Sequence, residues 1–305
     1  MEGIIPLFKP KGMTSHDCVF KLRKILKMKK IGHTGTLDPD VTGVLPICIG
    51  RATKVAEYLT DAGKAYEGEV TLGKSTTTED ASGDVIEEAK VERMISRSEI
   101  LNIFHTFTGT ITQTPPMFSA VKVKGKRLYE YARQGIEVER PSREVQIYSL
   151  ELLDDCFEFV GDQITFRFRV ACSKGTYIRT LAVMIGEALG YPAHMSDLTR
   201  VQSGTFKLDD CVTLEEVEEK KNNGSIEEVL FPLETALTHL PKYTINDKIA
   251  EKVKNGAVLP TPPMFTHDNS LIVVETETGQ ALAIYAHHPE KVGWMKPSKV
   301  LRTVL

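Results

Sequence analysis

The chain has 305 residues, 41% hydrophobic and 26% charged, with a formal net charge of −3. The composition is that of a globular protein, the length fits a large domain with a small one beside it, and no apolar run approaches the roughly 20 residues that span a bilayer. A net-acidic chain argues against a simple nucleic-acid binder. The opening Met1-Glu2-Gly3-Ile4-Ile5-Pro6 lacks the basic start and apolar core of a signal peptide, so the expected location is cytoplasmic.

Ile4 to Phe8 reads as a short apolar strand, and Lys9-Pro10-Lys11-Gly12 turns the chain. Thr14 or Ser15 caps a helix whose Val19, Leu22, Ile25 and Leu26 recur at helical spacing. Lys21, Arg23, Lys24, Lys27, Lys29 and Lys30 fall largely on its remaining surface, toward solvent or phosphate. The long loop Gly32 to Pro46 follows, with one histidine and two carboxylates among small neutral residues, and loops of that length in compact domains are often functional. Next come a strand over Val44 to Ile49, a helix over Arg51 to Leu59, a strand over Tyr66 to Leu72 and a polar loop from Gly73 to Gly83. Ser96-Arg97-Ser98-Glu99 is a capping box for a helix running to about Thr106. Thr114-Pro115-Pro116-Met117 breaks regular structure, and Phe118 to Arg143 then mixes Lys and Arg with Tyr129 and Tyr131 around a short amphipathic helix, Arg127 to Gln134. Glu144 to Leu153 and Gln163 to Cys172 are strands; in the second, Ile164, Phe166, Phe168 and Val170 alternate with Thr165, Arg167 and Arg169, so one face is buried. Thr176 caps a helix to Leu189, which Gly190 ends, and Thr213 with Glu216 caps another that ends at Asn222-Asn223-Gly224. Leu240-Pro241 marks a boundary before a helix over Asp247 to Asn255 and strands near Leu271 to Glu275 and Ala281 to Ala286.

Five widely spaced cysteines with no C-x-x-C pair argue against a disulfide framework or a zinc site and for buried reduced thiols. His287-His288 is expected in a surface loop. The basic runs and the glutamate-rich segments around Glu215 to Glu219 and Glu227-Glu228 are segregated, which permits an RNA-facing side, although solvated helices account for such runs equally well. In the long loop, Asp38 pairs one ionisable oxygen nucleophile with neutral Thr and His donors. Arg179 falls in the first turn of its helix, where the dipole opposes a cation, so it is placed to serve a partner. These residues leave a hydrolase using Asp38 and Asp40 as a carboxylate pair, or a binding module without catalysis, as readings beside a covalent or base-catalysed reaction at Asp38.

The loop Gly32 to Pro46, centred on Leu37-Asp38-Pro39, resembles the catalytic motif of pseudouridine synthases of the bacterial TruB type. The resemblance extends to the opening K-P-x-G-x-T-S, to Lys64-Ala65-Tyr66, to the L-G-x-x-T-x-T-x-D-x-x-G pattern ending at Gly83, to Gly175-Thr176-Tyr177-Ile178-Arg179 and to His194 through Arg200. It implies an α+β pseudouridine-synthase fold with a central mixed, largely antiparallel sheet flanked by helices, in a catalytic domain over residues 1–240. It further implies an RNA-clamping thumb at about 115–143 and a small β-rich PUA-like RNA-binding domain over 241–305. By the same resemblance Asp38 is the nucleophile, Arg179 its partner, and Tyr66 a stacking residue and candidate proton acceptor. Tyr177 and Leu198 line the base site, and His33 fills the place the flipped uridine leaves. The implied reaction turns uridine into pseudouridine in the T-arm loop of tRNA, at position 55, without cofactor, metal, guide RNA or obligatory protein partner, in a monomer.

Overall fold

The computed structural model describes residues 1–266 and 268–303. The chain opens with β1 (Gly3–Lys9), α1 (Ser15–Leu26), β2 (Ile31–His33), β3 (Thr42–Ile49), a 3-10 helix (Gly50–Val55), α2 (Ala56–Asp61) and β4 (Lys64–Leu72). A hairpin of β5 (Lys74–Thr76) and β6 (Val85–Glu88) precedes β7 (Ile95–Ser96), α3 (Arg97–Phe107) and β8 (Gly109–Gln113). The thumb segment contributes β9 (Lys122–Val123), β10 (Lys126–Arg127) and α4 (Leu128–Ala132). Then follow β11 (Arg143–Leu152), β12 (Glu158–Phe159), β13 (Ile164–Cys172), α5 (Ile178–Leu189), β14 (Ala193–Ser203), β15 (Phe206–Lys207) and α6 (Leu214–Asn222). The last part holds β16 (Lys242–Ile245), α7 (Asp247–Lys254), β17 (Leu259–Pro260), β18 (Ile272–Thr276), β19 (Ala281–His287) and β20 (Trp294–Val300).

The central sheet runs β1-β3-β14-β4-β13-β11-β8, with β2 on β3 and β15 on β14, and every pairing is antiparallel except β3 with β14. This is the mixed, largely antiparallel sheet expected. A second sheet, β16-β18-β19-β20-β17, forms near the C-terminal end. Strands β1 and β3 are buried on both sides, which is why their sequences read as continuous apolar runs. Ile5, Leu7, Leu45 and Ile47 pack with Cys18 and Leu22 of α1, Phe104 of α3 and Leu181 and Ile185 of α5. Ile4, Val44 and Cys48 point the other way, into a cluster with Ala52, Tyr58, Leu233, Val273 and Ile284. Strand β13 shows the expected alternation, with Phe166 and Phe168 buried and Arg167 and Arg169 exposed.

Several local expectations hold in detail. Thr14 caps α1 in a reciprocal capping box with Asp17, Ser96 caps α3, Thr213 caps α6, and Gly190 ends α5 at φ 85°. Others need correction. The stretch from Arg51 begins as a 3-10 helix, because the Thr53 hydroxyl bonds the Gly50 carbonyl three residues back at 2.8 Å and tightens the turn. Thr176 does not cap α5: its hydroxyl donates to Ser173 O at 3.0 Å, and the helix starts at Ile178 with no side-chain cap. The amphipathic helix expected to Gln134 spans only Leu128–Ala132. Cys18, Cys48 and Cys172 are buried, but Cys156 is exposed and Cys211 half-buried. His287 is not in a loop; it ends β19 with its ring stacked on Phe265 at 4.0 Å.

The β3–β14 junction is a tight backbone crossing. Gly43 pairs with Arg200 and has φ +109°; a Cβ there would lie 2.2 Å from the Arg200 carbonyl oxygen. No side chain fits, and the left-handed conformation itself disfavours one. Gly43→Ala is expected to lower unfolding free energy by at least about 1–3 kcal/mol, read as a fall in the urea midpoint. An unchanged midpoint would show that the two strands have slack to separate.

Candidate active site

The loop carrying Asp38 connects β2 to β3 and is pinned from below. Lys9, fully buried, donates its ammonium protons to the carbonyls of Pro10 (2.8 Å), Met13 (2.5 Å) and Pro39 (3.0 Å). Ser15, which the capping pattern left beside Thr14, points inward: Leu37 N–H donates to its hydroxyl at 2.9 Å and the hydroxyl reaches Leu37 O at 3.2 Å. Gly12 N–H donates to Pro39 O at 2.9 Å, and Thr34 N–H to Pro46 O at 3.1 Å. Lys9, Gly12 and Ser15 thus fix the backbone on both sides of Asp38, so its carboxylate is aimed by the fold rather than by its own rotamer alone.

Arg179 closes the site from α5. Its guanidinium is 7% exposed and lies 3.1 Å from the Asp38 carboxylate and 3.6 Å from that of Asp80. Its other protons go to Thr78 O and Phe118 O, each at 2.9 Å. Tyr177, at the helix start, is positioned by its main chain, which exchanges hydrogen bonds with the Gln113 side chain at 2.9 and 3.1 Å. That anchor replaces the missing cap and sets Arg179 at the cleft wall. Asp80 is held by the Thr78 hydroxyl (2.6 Å) and the Ser82 hydroxyl (2.6 Å) and N–H (3.0 Å). Glu79 beside it adopts φ 64°, a left-handed turn that presents Thr78 O and Asp80 together to the arginine.

The Asp38 side chain keeps 44% of its surface open. Burial of its inner side nevertheless lifts the carboxyl above its ordinary value; Arg179 opposes that rise and the nearby Asp80 charge adds to it. Arg179 favours the charged form, but desolvation outweighs it. The floor carries more positive charge. Arg200, 1% exposed, donates to Val44 O at 2.7 Å and Gly35 O at 3.2 Å. Burial raises the Tyr66 phenol above its usual value, the adjacent Arg200 opposing. Lys64, donating to Thr60 O and Ala62 O, is pushed down to about 8 by burial and by the Arg200 charge.

Asp38, Tyr66, Tyr177, Arg179 and Leu198 line one cleft of about 420 Å³. The structure brings together five of the six residues singled out in the sequence. His33 instead lines an adjoining groove of about 620 Å³, joined to the cleft through Thr36, Asp38, Ser119 and Ala120. One wall of that groove is Thr14–His16 at the start of α1, and the other is Phe118–Ala120 with Lys122, Arg127 and Tyr129 of the thumb. His33 is kept neutral by burial and Arg200, and its Nδ1 and the Ser119 hydroxyl are buried without protein partners. On the thumb, Arg127 and Arg133 flank the Tyr129 ring at 5.8 and 5.3 Å. Asp40 is exposed and lines neither cavity, so the carboxylate pair posited with Asp38 is not assembled. The partner carboxylate is Asp80, which sequence reasoning placed only within a polar turn; its signal was the Thr/Asp spacing of that turn.

Residues 23–178 match the family described as TruB family pseudouridylate synthase (N terminal domain), and residues 179–238 match the tRNA pseudouridylate synthase B C-terminal domain. The chain is 62% identical over 302 residues to tRNA pseudouridine synthase B of Geobacillus thermodenitrificans, covering 99% of this chain and 100% of that one. It is 60% identical over 301 residues to the Bacillus anthracis protein of the same name, covering 99% and 97%. Among solved structures, one of a Cbf5-Nop10-Gar1 complex matches with a TM-score of 0.75 and 32% identity over 98% of this chain and 85% of that one. One of an H/ACA RNP bound to a substrate RNA containing 2′-deoxyuridine matches with a TM-score of 0.74 and 29% identity over the same shares.

The two charges beside Asp38 shift it in opposite senses, which gives a signed test. With Asp38 acting as an ionised carboxylate, the acid limb of the single-turnover pH profile is expected above the ordinary carboxylate range. Arg179→Gln is expected to move that limb to higher pH and Asp80→Asn to lower pH, both with slower turnover. Limbs moving together would mean that Asp38 is not the group titrating.

Proposed function

Since the chain belongs to the TruB family of pseudouridylate synthases and is an isomerase of that kind, we propose that its substrate is the T-arm loop of tRNA, with Asp38 the group that enables uridine at position 55 to become pseudouridine. The reaction breaks N1–C1′, turns the uracil and joins C5 to C1′. Atoms and electrons balance within the substrate, so no cofactor or metal is called for. The observation that carries this reading is the Asp38 carboxylate, open to the cleft and held 3.1 Å from a buried guanidinium.

The target uridine leaves its stack, as chemistry on a base requires, and enters the cleft over the Tyr66 ring with Leu198 as an apolar wall. Asp38 then acts at the ribose or the base with Arg179 fixing its orientation. Asp38 and Tyr66, both lining the cleft, are the groups placed to take the C5 proton. His33, neutral, stands at the mouth of the cleft to occupy the stack position vacated by the uridine. The thumb at 115–143 supplies cations and the arginine-flanked Tyr129 to the RNA. The sheet within 241–305 acts as a small RNA-binding module. With a clamp carried in its own chain, the protein works as a cytoplasmic monomer without guide RNA.

The test uses unmodified tRNA tritiated at uracil C5. Wild type is expected to release tritium from one T-loop position, and Asp38→Asn to lose the release by at least about 10³-fold while binding is retained. Equal release by both proteins would remove Asp38 from the reaction.

A further inference from the structure

The outer face of α1 is not used by the site described above. From Cys18 to Lys30 the sequence contains no acidic residue, and Lys21, Lys24, Lys27, Lys29 and Lys30 all lie exposed. Among the described residues none of the five forms an ion pair. Helix α6 carries Glu215, Glu216, Glu218 and Glu219 and shares a core with α1 through Leu214 and Val217, yet none of its carboxylates reaches these ammonium groups. Asp17, one turn back, interacts through space with Lys21, while Lys24, Lys27, Lys29 and Lys30 repel one another, a local arrangement that a polyanion relieves.

A second observation accompanies the charge. Phe20 is 53% exposed in the middle of this face, and the Lys24 ammonium sits 4.4 Å from its ring centre. Phe20, Arg23, Lys24, Lys27, Met28 and Lys29 line a groove of about 550 Å³ with no carboxylate in its wall. Arg23 Nε, in the same wall, is buried without a protein partner. His16, Phe20 and Lys24 recur every four residues, so the stripe begins at the mouth of the active-site groove, where His16 lines it, and runs outward along one helix face.

The direction of the stripe decides what it meets. Across the groove from the start of α1 stands the thumb, which carries its own cations and Tyr129. A hairpin held against the thumb leaves the α1 wall facing whatever RNA packs beside the loop. We propose that the α1 face binds phosphates and an unstacked base of the same tRNA outside its T-arm hairpin, with Phe20 as the stacking surface and Lys24, Lys27 and Lys29 on the backbone. This rests on the tRNA reading above. It makes the enzyme distinguish a whole tRNA from an isolated T-arm by affinity rather than by chemistry.

The experiment compares wild type, Phe20→Ala and the triple variant K24Q/K27Q/K29Q on two unmodified probes, full-length tRNA and the isolated T-arm hairpin. All of these side chains are exposed, and thermal melts are expected to be unchanged. For full-length tRNA the triple variant is expected to bind roughly tenfold more weakly, with the slope of log affinity against log salt reduced by about 2 to 3. Phe20→Ala is expected to weaken it roughly fivefold. Affinity and turnover on the hairpin are expected to stay within about twofold for both variants. Equal losses on both probes would mean the face holds the hairpin's own stem, and no loss on either would mean a solvated face; both overturn the proposal. Failure of wild type to isomerise either probe would instead overturn the tRNA reading.

Discussion

One guanidinium holds the site together. Arg179 reaches Asp38 of the β2–β3 connection, Thr78 and Asp80 of the turn after β5, and Phe118 at the root of the thumb. A planar group with several donors in fixed directions can satisfy two carboxylates and two carbonyls at once, which an ammonium on a flexible stem cannot. The near-complete burial of Arg179 makes each of these contacts electrostatically stronger than it would be in water. Removing the arginine would leave two carboxylates facing each other at the cleft wall. Phe118 and Asp38 are therefore positioned by the same atom group, so a displacement at Phe118 is felt at Asp38.

The surroundings of that pair are unusual in sign. Lys9, Lys64 and Arg200 are all buried close to the Asp38 loop, and their hydrogen bonds run to carbonyl oxygens rather than carboxylates. Burying cations this way carries a desolvation penalty, seen in the lowered Lys9 and Lys64. The return is a cleft floor that is positive without being neutralised. It suits a substrate that is a phosphodiester and a base that gains electron density when its glycosidic bond opens.

Much of this was legible in the residues. The apolar alternation of β13, the capping boxes at Thr14 and Thr213, the Ser96 cap (where Glu99 turns to Arg93 instead of closing the expected box), and the β3 run all produced the elements they implied, because each is a local signal with a local cause. Asp38 stood out because it lies in a glycine-rich loop too long for a simple turn, and Arg179 because it opposes its own helix dipole. Asp80 did not stand out. Its Thr/Ser hydrogen bonds are those of any polar turn, and only the tertiary approach of α5 turns it into a partner. Ser15 and Lys9 were hidden for the same reason: their work is done on Leu37 and Pro39, in a segment that comes near only once the sheet has formed. Thr176 failed as a cap because its hydroxyl found a nearer acceptor.

The parallel β3–β14 pairing has a consequence for the order in which the protein comes into being. Strand β3 ends at Ile49, and its neighbour in the sheet is the segment Ala193–Ser203, which also supplies Leu198 and Arg200 to the cleft. Such distant pairings form late, since a long stretch of chain must close before the contact is made. As the chain leaves the ribosome, Asp38 emerges early, while the arginine that orients it and the strand that floors its cleft emerge only after more than half of the protein has been made. A nascent chain stopped before β14 holds Asp38 without the strand that supplies Leu198 and Arg200 to its cleft, so a truncated product would carry an incomplete site.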